Sequence, residues 1–329
     1  MSKPKVAFYW CASCGGCEEA ILDLNEGILD VVAAVDIVFW PVAIDTKYAD
    51  IEAMPDGSID VCFINGAIRM DDQEHAVKLL RRKSKAVIAF GSCAHLGGIP
   101  GLSNLTDRVA TLSRAYLEVP SLDNPNGVVP QKVTEVDGGE LTLPGFWNRV
   151  LRLDEVIAVD YYLPGCPPQP DTISAAVQAI LTGDLPPAGT VLSPGRNMCH
   201  ECSRQASKPE KLKIAEIKRI HQVLVDPDEC FLAKGVVCLG LATRSGCGEK
   251  CMSANMPCRG CYGPTDGIVD QGAAFLSAFA ALLGPGDRPD LGEVVASFDD
   301  IAGTVYRFSL PASLAHRGNL MKNKGEPTP

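Results

Sequence analysis

The chain has 329 residues, a formal net charge of −10 and a hydrophobic fraction of 46%, which is enough apolar material for a sizeable core. A pI near 5.0 excludes the broadly basic surface that nucleic-acid binding requires. The N-terminal apolar run stops at Cys11, too early for a signal peptide, and no stretch of about 18 apolar residues occurs. We therefore expect a cytoplasmic protein without direct membrane insertion.

Apolar runs alternate with amphipathic stretches through the first half of the chain. Helices are predicted at 18–34, 71–84, 105–118 and 171–182, and strands at 5–10, 35–40, 59–65, 86–90 and 156–162. The strands are almost continuously apolar, as expected for parallel strands covered on both faces. The alternation predicts an α/β, flavodoxin-like, doubly wound parallel sheet over residues 1–185, with an irregular insertion at 119–150.

Regular periodicity fades after Leu185. From there to about Pro264, Cys, Gly, Pro and charged residues dominate, with one mostly polar helix predicted at 208–221. Such a segment cannot bury enough apolar surface on its own and needs bound metal clusters to stabilise its fold. An apolar helix is predicted at 268–283, and a frayed tail from Asn319. Residues 186–329 are therefore expected to form a second, irregular, Cys-rich domain.

Fourteen cysteines require an explanation, and metal ligation is the better one because disulfides are rare in reducing compartments. Cys14 and Cys17 follow the first predicted strand, Cys93 follows the fourth and Cys166 follows the fifth. Sites in such sheets form at the carboxyl ends of the strands, so we expect these four thiols to converge. Four thiolates are the ligand set of a [4Fe–4S] cluster.

Two other N-terminal cysteines stand apart. Cys62 lies inside a predicted strand, where a buried core thiol is expected. Cys11 forms a C-x-x-C with Cys14, so the ligand pair could be Cys11/Cys14, although we favour Cys14/Cys17.

The tail carries eight cysteines between Cys199 and Cys261, which divide evenly into two further groups of four. Such groups suit two more clusters, but C-x-x-C spacing also suits zinc. Spacing leaves their membership open, because Cys238 and Cys247 could exchange groups. With eight thiols available, His200 is expected near the site or on the surface rather than as a ligand. Residues 186–329 are accordingly predicted to be an iron–sulfur domain.

Three motifs together resemble the small subunit of [NiFe] hydrogenases: Cys14-Gly-Gly-Cys17-Glu18, Gly91-Ser-Cys93-Ala94 and Pro164-Gly-Cys166-Pro-Pro168. The 20-kDa subunit of respiratory complex I shares this domain, but it normally has adjacent cysteines in the first motif and lacks the eight-cysteine tail. The resemblance implies three [4Fe–4S] clusters: a proximal one on Cys14, Cys17, Cys93 and Cys166, a medial one on Cys247, Cys251, Cys258 and Cys261, and a distal one on Cys199, Cys202, Cys230 and Cys238.

The cysteines of the tail indicate which type of hydrogenase small subunit the chain resembles. Cys199 stands where membrane-associated uptake hydrogenases usually have a histidine, and Cys251 supplies a fourth medial ligand where they carry three. The tail therefore resembles cytoplasmic hydrogenases, in particular the F420-non-reducing, heterodisulfide-reductase-linked type or an electron-bifurcating relative.

The implied function is electron transfer within an oxidoreductase complex. Electrons would pass between the Ni–Fe site of a large partner subunit and a further iron–sulfur or flavin subunit. No second set of C-x-x-C motifs remains here for nickel, so the catalytic metal is expected on the partner. Glu18 could be a proton-path or interface residue, or only a carboxylate at a helix N-terminus. The alternatives are an iron–sulfur subunit of a quinone- or formate-linked oxidoreductase and a zinc-stabilised interaction scaffold.

Overall fold

The computed structural model describes residues 3–283 and 291–317. Its strands are β1 Lys5–Trp10, β2 Asp36–Phe39, β3 Ile59–Asn65, β4 Ile68–Met70, β5 Ser84–Phe90, β6 Val133–Val136, β7 Gly139–Thr142, β8 Phe146–Leu151, β9 Tyr161–Leu163 and β10 Thr190–Val191. Its helices are α1 Gly16–Leu22, α2 Gly27–Ala34, α3 Tyr48–Ala53, α4 Asp71–Lys83, α5 Ser92–Leu96, α6 Arg108–Ser113, α7 Pro170–Thr182, α8 Lys250–Ser253, α9 Gln271–Ala280, α10 Leu291–Ala296, α11 Ile301–Val305 and α12 Leu314–Arg317.

The main sheet has the order β2-β1-β3-β5-β9-β10, and each neighbouring pair is parallel. The chain reverses its direction across the sheet beside β1, which pairs with β2 on one side and β3 on the other. This is the flavodoxin-like, doubly wound arrangement that the sequence predicted. Alternate residues of β1 enter different cores: Ala7 and Tyr9 pack on one face, and Val6 and Phe8 on the other.

Two predicted elements near the sheet have different bounds. The helix predicted at 18–34 is broken between α1 and α2, where Asn25 adopts a left-handed conformation with φ 54°. The strand predicted at 156–162 is reduced to β9, because Val156 and Ile157 pack against the core instead of joining the ladder. β10 joins the sheet from beyond the predicted domain boundary at residue 185, and that boundary stays a prediction.

The region predicted as an irregular insertion contains regular structure. β6 and β7 form an antiparallel hairpin around Asp137-Gly138, a turn signal that the many Pro and Gly residues obscured. β8 pairs antiparallel with the short strand β4, which the sequence did not reveal. The helix predicted at 105–118 begins later, at α6, because the Asp107 side chain accepts a hydrogen bond from the backbone N–H of Ala110 at 2.8 Å. It ends in a π-helical turn over Arg114–Glu118.

The helix predicted at 208–221 is wrong. These residues, all described, form no α-helix; they run across the C-terminal core with bridges from Ile214 to Leu283 and from Lys218 to Val236. Leu212, Ile214 and Ile217 are buried there, a spacing closer to strand alternation than to a helical stripe. The helix predicted at 268–283 is the shorter α9, whose start is capped by the Asp270 carboxylate. The tail predicted from Asn319 lies outside the described residues.

The Cys-rich part consists largely of short 3₁₀ turns and packs on the carboxyl edge of the sheet. The buried Tyr262 hydroxyl accepts a hydrogen bond from the backbone N–H of Gln169 at 3.3 Å and lies 3.2 Å from Thr172 Oγ1 at the start of α7. The Ser92 hydroxyl in α5 lies within hydrogen-bonding range of the carbonyl of Cys261. In the described portion of the chain, no helix is long and apolar enough to cross a membrane.

Candidate functional site

The first group of thiols lies where the strands β1, β5 and β9 end. Cys14 precedes the turn into α1, Cys17 lies in the first turn of α1, Cys93 lies in α5, and Cys166 follows β9. The structure brings them together: Cys93, Cys166 and Cys14 lie close enough to Cys17 for their charges to raise the pKa of its thiol. Parallel strands deliver their following loops to one edge of the sheet, which is why residues far apart in sequence meet here.

Glycines make room for these thiols. A Cβ atom at Gly91 would lie 2.4 Å from Cys17 Sγ, and one at Gly98 would lie 2.4 Å from Cys93 Sγ. Both glycines have positive φ, at 86° and 59°, which side chains other than glycine adopt only with strain. The backbone therefore approaches the sulfurs more closely than any other residue would permit.

The second group lines a small, largely apolar cavity in the tail. The walls carry Cys199, Cys202, Cys230 and Cys238 together with Met198, Arg204, Phe231 and Met252. Cys199 and Cys230 lie close enough to Cys238 for their charges to raise the pKa of its thiol. The structure thus places Cys238 with this group.

The third group is formed by the remaining tail cysteines. The charges of Cys247 and Cys251 raise the pKa of Cys261, and those of Cys238 and Cys261 raise the pKa of Cys258. Cys247 therefore lies with Cys251 and Cys261 rather than with Cys199. These neighbours support the grouping without an exchange of Cys238 and Cys247, and the division of the tail cysteines stays a prediction.

Two hydrogen bonds connect the three groups in a row. The backbone N–H of Cys166 donates to Cys261 Sγ, which joins the sheet-edge group to the third group. The backbone N–H of Cys258 donates to Cys238 Sγ, which joins the third group to the second. The group of Cys247, Cys251, Cys258 and Cys261 therefore lies between the other two.

Burial makes ionisation of these thiols costly. It raises the pKa of Cys93 and of Cys238 to about 12, and that of Cys199 to about 11. A thiol so buried stays protonated at neutral pH unless positive charge compensates the thiolate. Iron supplies that charge and binds the thiolate form, so the donor chemistry fits a group with several iron ions.

A single zinc ion and a four-iron cluster require different spacings of their thiol ligands. Within residues 3–283 and 291–317, no three His, Cys, Asp or Glu side chains converge closely enough to bind a single metal ion. A zinc ion would hold four sulfurs at about 2.3 Å from its centre and hence almost in contact with one another. A cube of four irons keeps its four cysteine sulfurs further apart.

The remaining candidates lie elsewhere. Cys11 and Cys62 are buried in the core on the opposite face of the sheet from Cys17, so the structure does not bring Cys11 into the first group. The side chain of His200 is exposed.

Glu18 is more than a solvated carboxylate at a helix start. It is 7% exposed, and it accepts hydrogen bonds from the Trp40 indole and the Asn65 amide. Burial raises the pKa of this carboxyl even though both hydrogen bonds favour its ionised form. Among site residues that the sequence did not indicate, Arg204 is the clearest, because no motif distinguishes it from a surface arginine.

Comparison with known proteins agrees with this architecture. Residues 14–180 match the sequence model of the family described as NADH ubiquinone oxidoreductase, 20 Kd subunit. The [NiFeSe] hydrogenase of Desulfovibrio vulgaris Hildenborough superposes with a TM-score of 0.51 at 19% identity, covering 81% of this chain and 95% of that one. At that identity the superposition establishes the fold alone. Fold and thiol-lined sheet edge together define a chain of the 20 Kd-subunit class.

Full-length relatives are more specific. The iron–sulfur subunit of the F420-non-reducing hydrogenase of Archaeoglobus profundus is 41% identical, over 95% of this chain and 98% of the relative. The corresponding F420-non-reducing hydrogenase subunit of Methanothermobacter thermautotrophicus is 40% identical over 95% and 96%. The chain belongs to this family of F420-non-reducing hydrogenase iron–sulfur subunits. These relatives do not favour the quinone- or formate-linked alternative or the zinc scaffold.

Proposed function

We propose that the chain is the electron-transfer small subunit of a hydrogenase, carrying electrons between the Ni–Fe site of a large subunit and a further redox subunit. The observation that supports this most directly is the row of three thiol groups, joined through Cys166 and Cys261 and through Cys258 and Cys238. A row of redox groups bridged by short backbone contacts is the arrangement that stepwise electron transfer requires. The chain acts as an oxidoreductase only within that complex.

The proposed cofactors are three [4Fe–4S] clusters, which take up and release single electrons when bound. The proximal ligands are Cys14, Cys17, Cys93 and Cys166; the medial ligands are Cys247, Cys251, Cys258 and Cys261; the distal ligands are Cys199, Cys202, Cys230 and Cys238. The chain's own contribution is to hold the sulfurs, exclude water by burial and donate backbone N–H groups to them. Examples are the N–H of Gly16 to Cys14 Sγ at 3.4 Å and that of Gly260 to Cys258 Sγ.

The large subunit is proposed to cover the rim around Cys14. This thiol is exposed, and exposed apolar side chains precede and follow it along the chain: Trp10 is 40% exposed, Leu22 59% and Leu29 69%. Exposed apolar area of this kind marks protein interaction surfaces. The electron acceptor is proposed to be an iron–sulfur or flavin subunit near the distal cysteines.

A cytoplasmic location is part of the proposal. All fourteen cysteines are unpaired, and unpaired thiols persist in a reducing compartment.

The proposal is tested on the complex purified without oxygen. We expect about twelve irons and a matching amount of acid-labile sulfide for each copy of this chain, a co-purified nickel-containing subunit, and low-temperature EPR signals of three reduced [4Fe–4S] clusters. Zinc without sulfide, or iron for one cluster only, would refute it.

A further inference from the structure

Arg204 is a buried cation beside the distal cysteines. Its side chain is 3% exposed. One guanidinium nitrogen donates to the carbonyls of Asp226 and Glu229, each at 2.9 Å, and another to the carbonyl of Met252 at 3.0 Å and to Asn255 Oδ1 at 2.9 Å. All of these acceptors are neutral. Its hydrogen bonds therefore orient the guanidinium without cancelling its charge.

The same side chain faces the cavity that the distal thiols line. The guanidinium carbon lies 4.4 Å from the centre of the Phe231 ring, and that ring forms part of the cavity wall. The backbone N–H of Arg204 also donates to Cys202 Sγ, so the residue contacts the distal group through its backbone as well as its charge.

A second cation lies near the same thiols. Lys208 follows the 3₁₀ turn Ser203–Ser207, whose last hydroxyl accepts a hydrogen bond from the backbone N–H of Cys230 at 2.8 Å. The positive charge of the Lys208 ammonium lowers the pKa of Cys199. One carboxylate opposes these cations: Glu249 faces Cys202 and accepts a hydrogen bond from the backbone N–H of Ser203 at 2.7 Å.

The other two thiol groups have carboxyl neighbours. The charge of Glu18 raises the pKa of Cys17 in the proximal group, and that of Glu201 raises the pKa of Cys247 in the medial group. The Glu201 carboxylate is held by the backbone N–H groups of Gly246 and Gly248. The distal group thus has two cations beside the carboxylate of Glu249, whereas the charged neighbours identified for the other two groups are carboxyls.

Charge close to a cluster changes the reduction potential of that cluster. A [4Fe–4S] cluster bound by four thiolates is anionic and becomes more so when it gains an electron, and nearby charge is one of the factors that set its potential. A cation held in a low-dielectric wall stabilises the reduced form, and a carboxylate destabilises it.

We propose that Arg204, assisted by Lys208, raises the reduction potential of the distal cluster so that it is the most easily reduced of the three. Each electron that the distal cluster gains is lost by the medial one, which is re-reduced through the proximal cluster by hydrogen oxidation on the partner. Arg204 is a positioning residue in this scheme, because it acts through the cluster. The inference rests on the proposed function.

The test is an EPR-monitored redox titration of the whole complex for the wild type, Arg204→Gln, Arg204→Lys and Lys208→Gln. A Cys202→Ser complex identifies the distal signal as the one that it alters. We expect Arg204→Gln to shift the distal equilibrium at least tenfold toward the oxidised form, which for a one-electron couple is about 59 mV. Lys208→Gln should shift the same signal in the same direction by less, and Arg204→Lys should restore most of the wild-type value.

Unchanged distal midpoints in variants that keep their full iron content would overturn the inference, as would a shift confined to another cluster. Arg204 also holds three segments together, its own turn and the stretches 226–229 and 252–255, so Arg204→Gln could lose the cluster outright. Lys208→Gln then decides, and an unchanged distal midpoint in that variant counts against the inference. A wild-type complex without a distal [4Fe–4S] signal would refute the proposed function itself, which is a separate result.

Discussion

The backbone N–H of Cys166 donates a hydrogen bond to Cys261 Sγ. Cys166 follows β9, just before the crossover through α7 to β10, and Cys261 is the last cysteine of the tail. The bond therefore ties two parts of the chain that look unrelated in sequence. Together with the contact between the Cys258 backbone and Cys238, it places the group of Cys247, Cys251, Cys258 and Cys261 between the other two. Substitutions at the glycines and cysteines around these groups test the order and the ligand assignments.

The close approach of Gly91 to Cys17 gives a sharp test of the proximal group. In Gly91→Ala, the new Cβ would lie 2.4 Å from Cys17 Sγ, so the sulfur must move away from its ligating position. We expect the complex to lose about four irons per chain, and hydrogen-dependent dye reduction to fall at least tenfold. Iron analysis and EPR measure the loss.

Gly57→Ala is the matched control for that variant. Gly57 also has positive φ, 68°, but a Cβ there meets nothing within 4 Å. The backbone strain alone should cost about 1 kcal/mol of unfolding free energy and leave the iron content unchanged. Equal iron loss in both variants would mean that strain, and not the contact with Cys17, is responsible.

The assignment of Cys251 as a medial ligand predicts a change of cluster type. Cys251 is exposed and lies in the first turn of α8, where a backbone N–H has no helical partner, so proline is tolerated. In Cys251→Pro we expect the medial [4Fe–4S] signal to be replaced by a three-iron signal in the oxidised state. Cys251→Ser separates the loss of the thiol from any effect of proline. An unchanged four-iron spectrum in both variants would contradict the assignment.

Cys62 and Cys11 serve as internal controls for the ligands. Both are buried in the core, and burial raises the pKa of Cys62 to about 12, so it packs as a neutral thiol. Cys62→Ala should lower the free energy of unfolding by about 1 kcal/mol, through the small cavity it leaves, without loss of iron. Denaturant unfolding and iron analysis check the two halves of this prediction. Loss of four irons in Cys11→Ala would instead place Cys11 among the proximal ligands.

The exposed apolar residues of α2, which follow Cys17 in the chain, predict where the large subunit binds. Leu29 and Val32, three residues apart on α2, are 69% and 49% exposed. The double change Leu29→Glu/Val32→Glu places two charges on this surface, and we expect binding of the large subunit to weaken at least tenfold, or about 1.4 kcal/mol. Co-purification yield and titration of the separated subunits measure it. Leu224→Glu, at a 93% exposed position in the Cys-rich part, is the control.

The sequence by itself determined the parallel α/β class and the end of the sheet at which Cys14, Cys17, Cys93 and Cys166 lie. Continuous apolar strands cannot be exposed to water, so they must be covered on both faces, and this predicts a doubly wound parallel sheet but not its strand order. Once the strands are parallel, Cys93 and Cys166 must emerge at the same edge as Cys17. Cys11 was left open, although it continues the alternation of Ala7 and Tyr9 and is therefore carried to the opposite core.

Only the tertiary structure determined the conformation of the Cys-rich tail and the neighbours of its cysteines. Its segments have little local periodicity, so contacts between distant residues determine their conformation. The polar segment around Ile214 runs extended instead of helical, because its apolar residues are buried against α9 and its neighbours. The grouping of Cys238 with Cys199, and the burial of Arg204 against neutral carbonyls, depend on the same long-range packing. Local sequence carries no signal for which chain segments will surround a given charge.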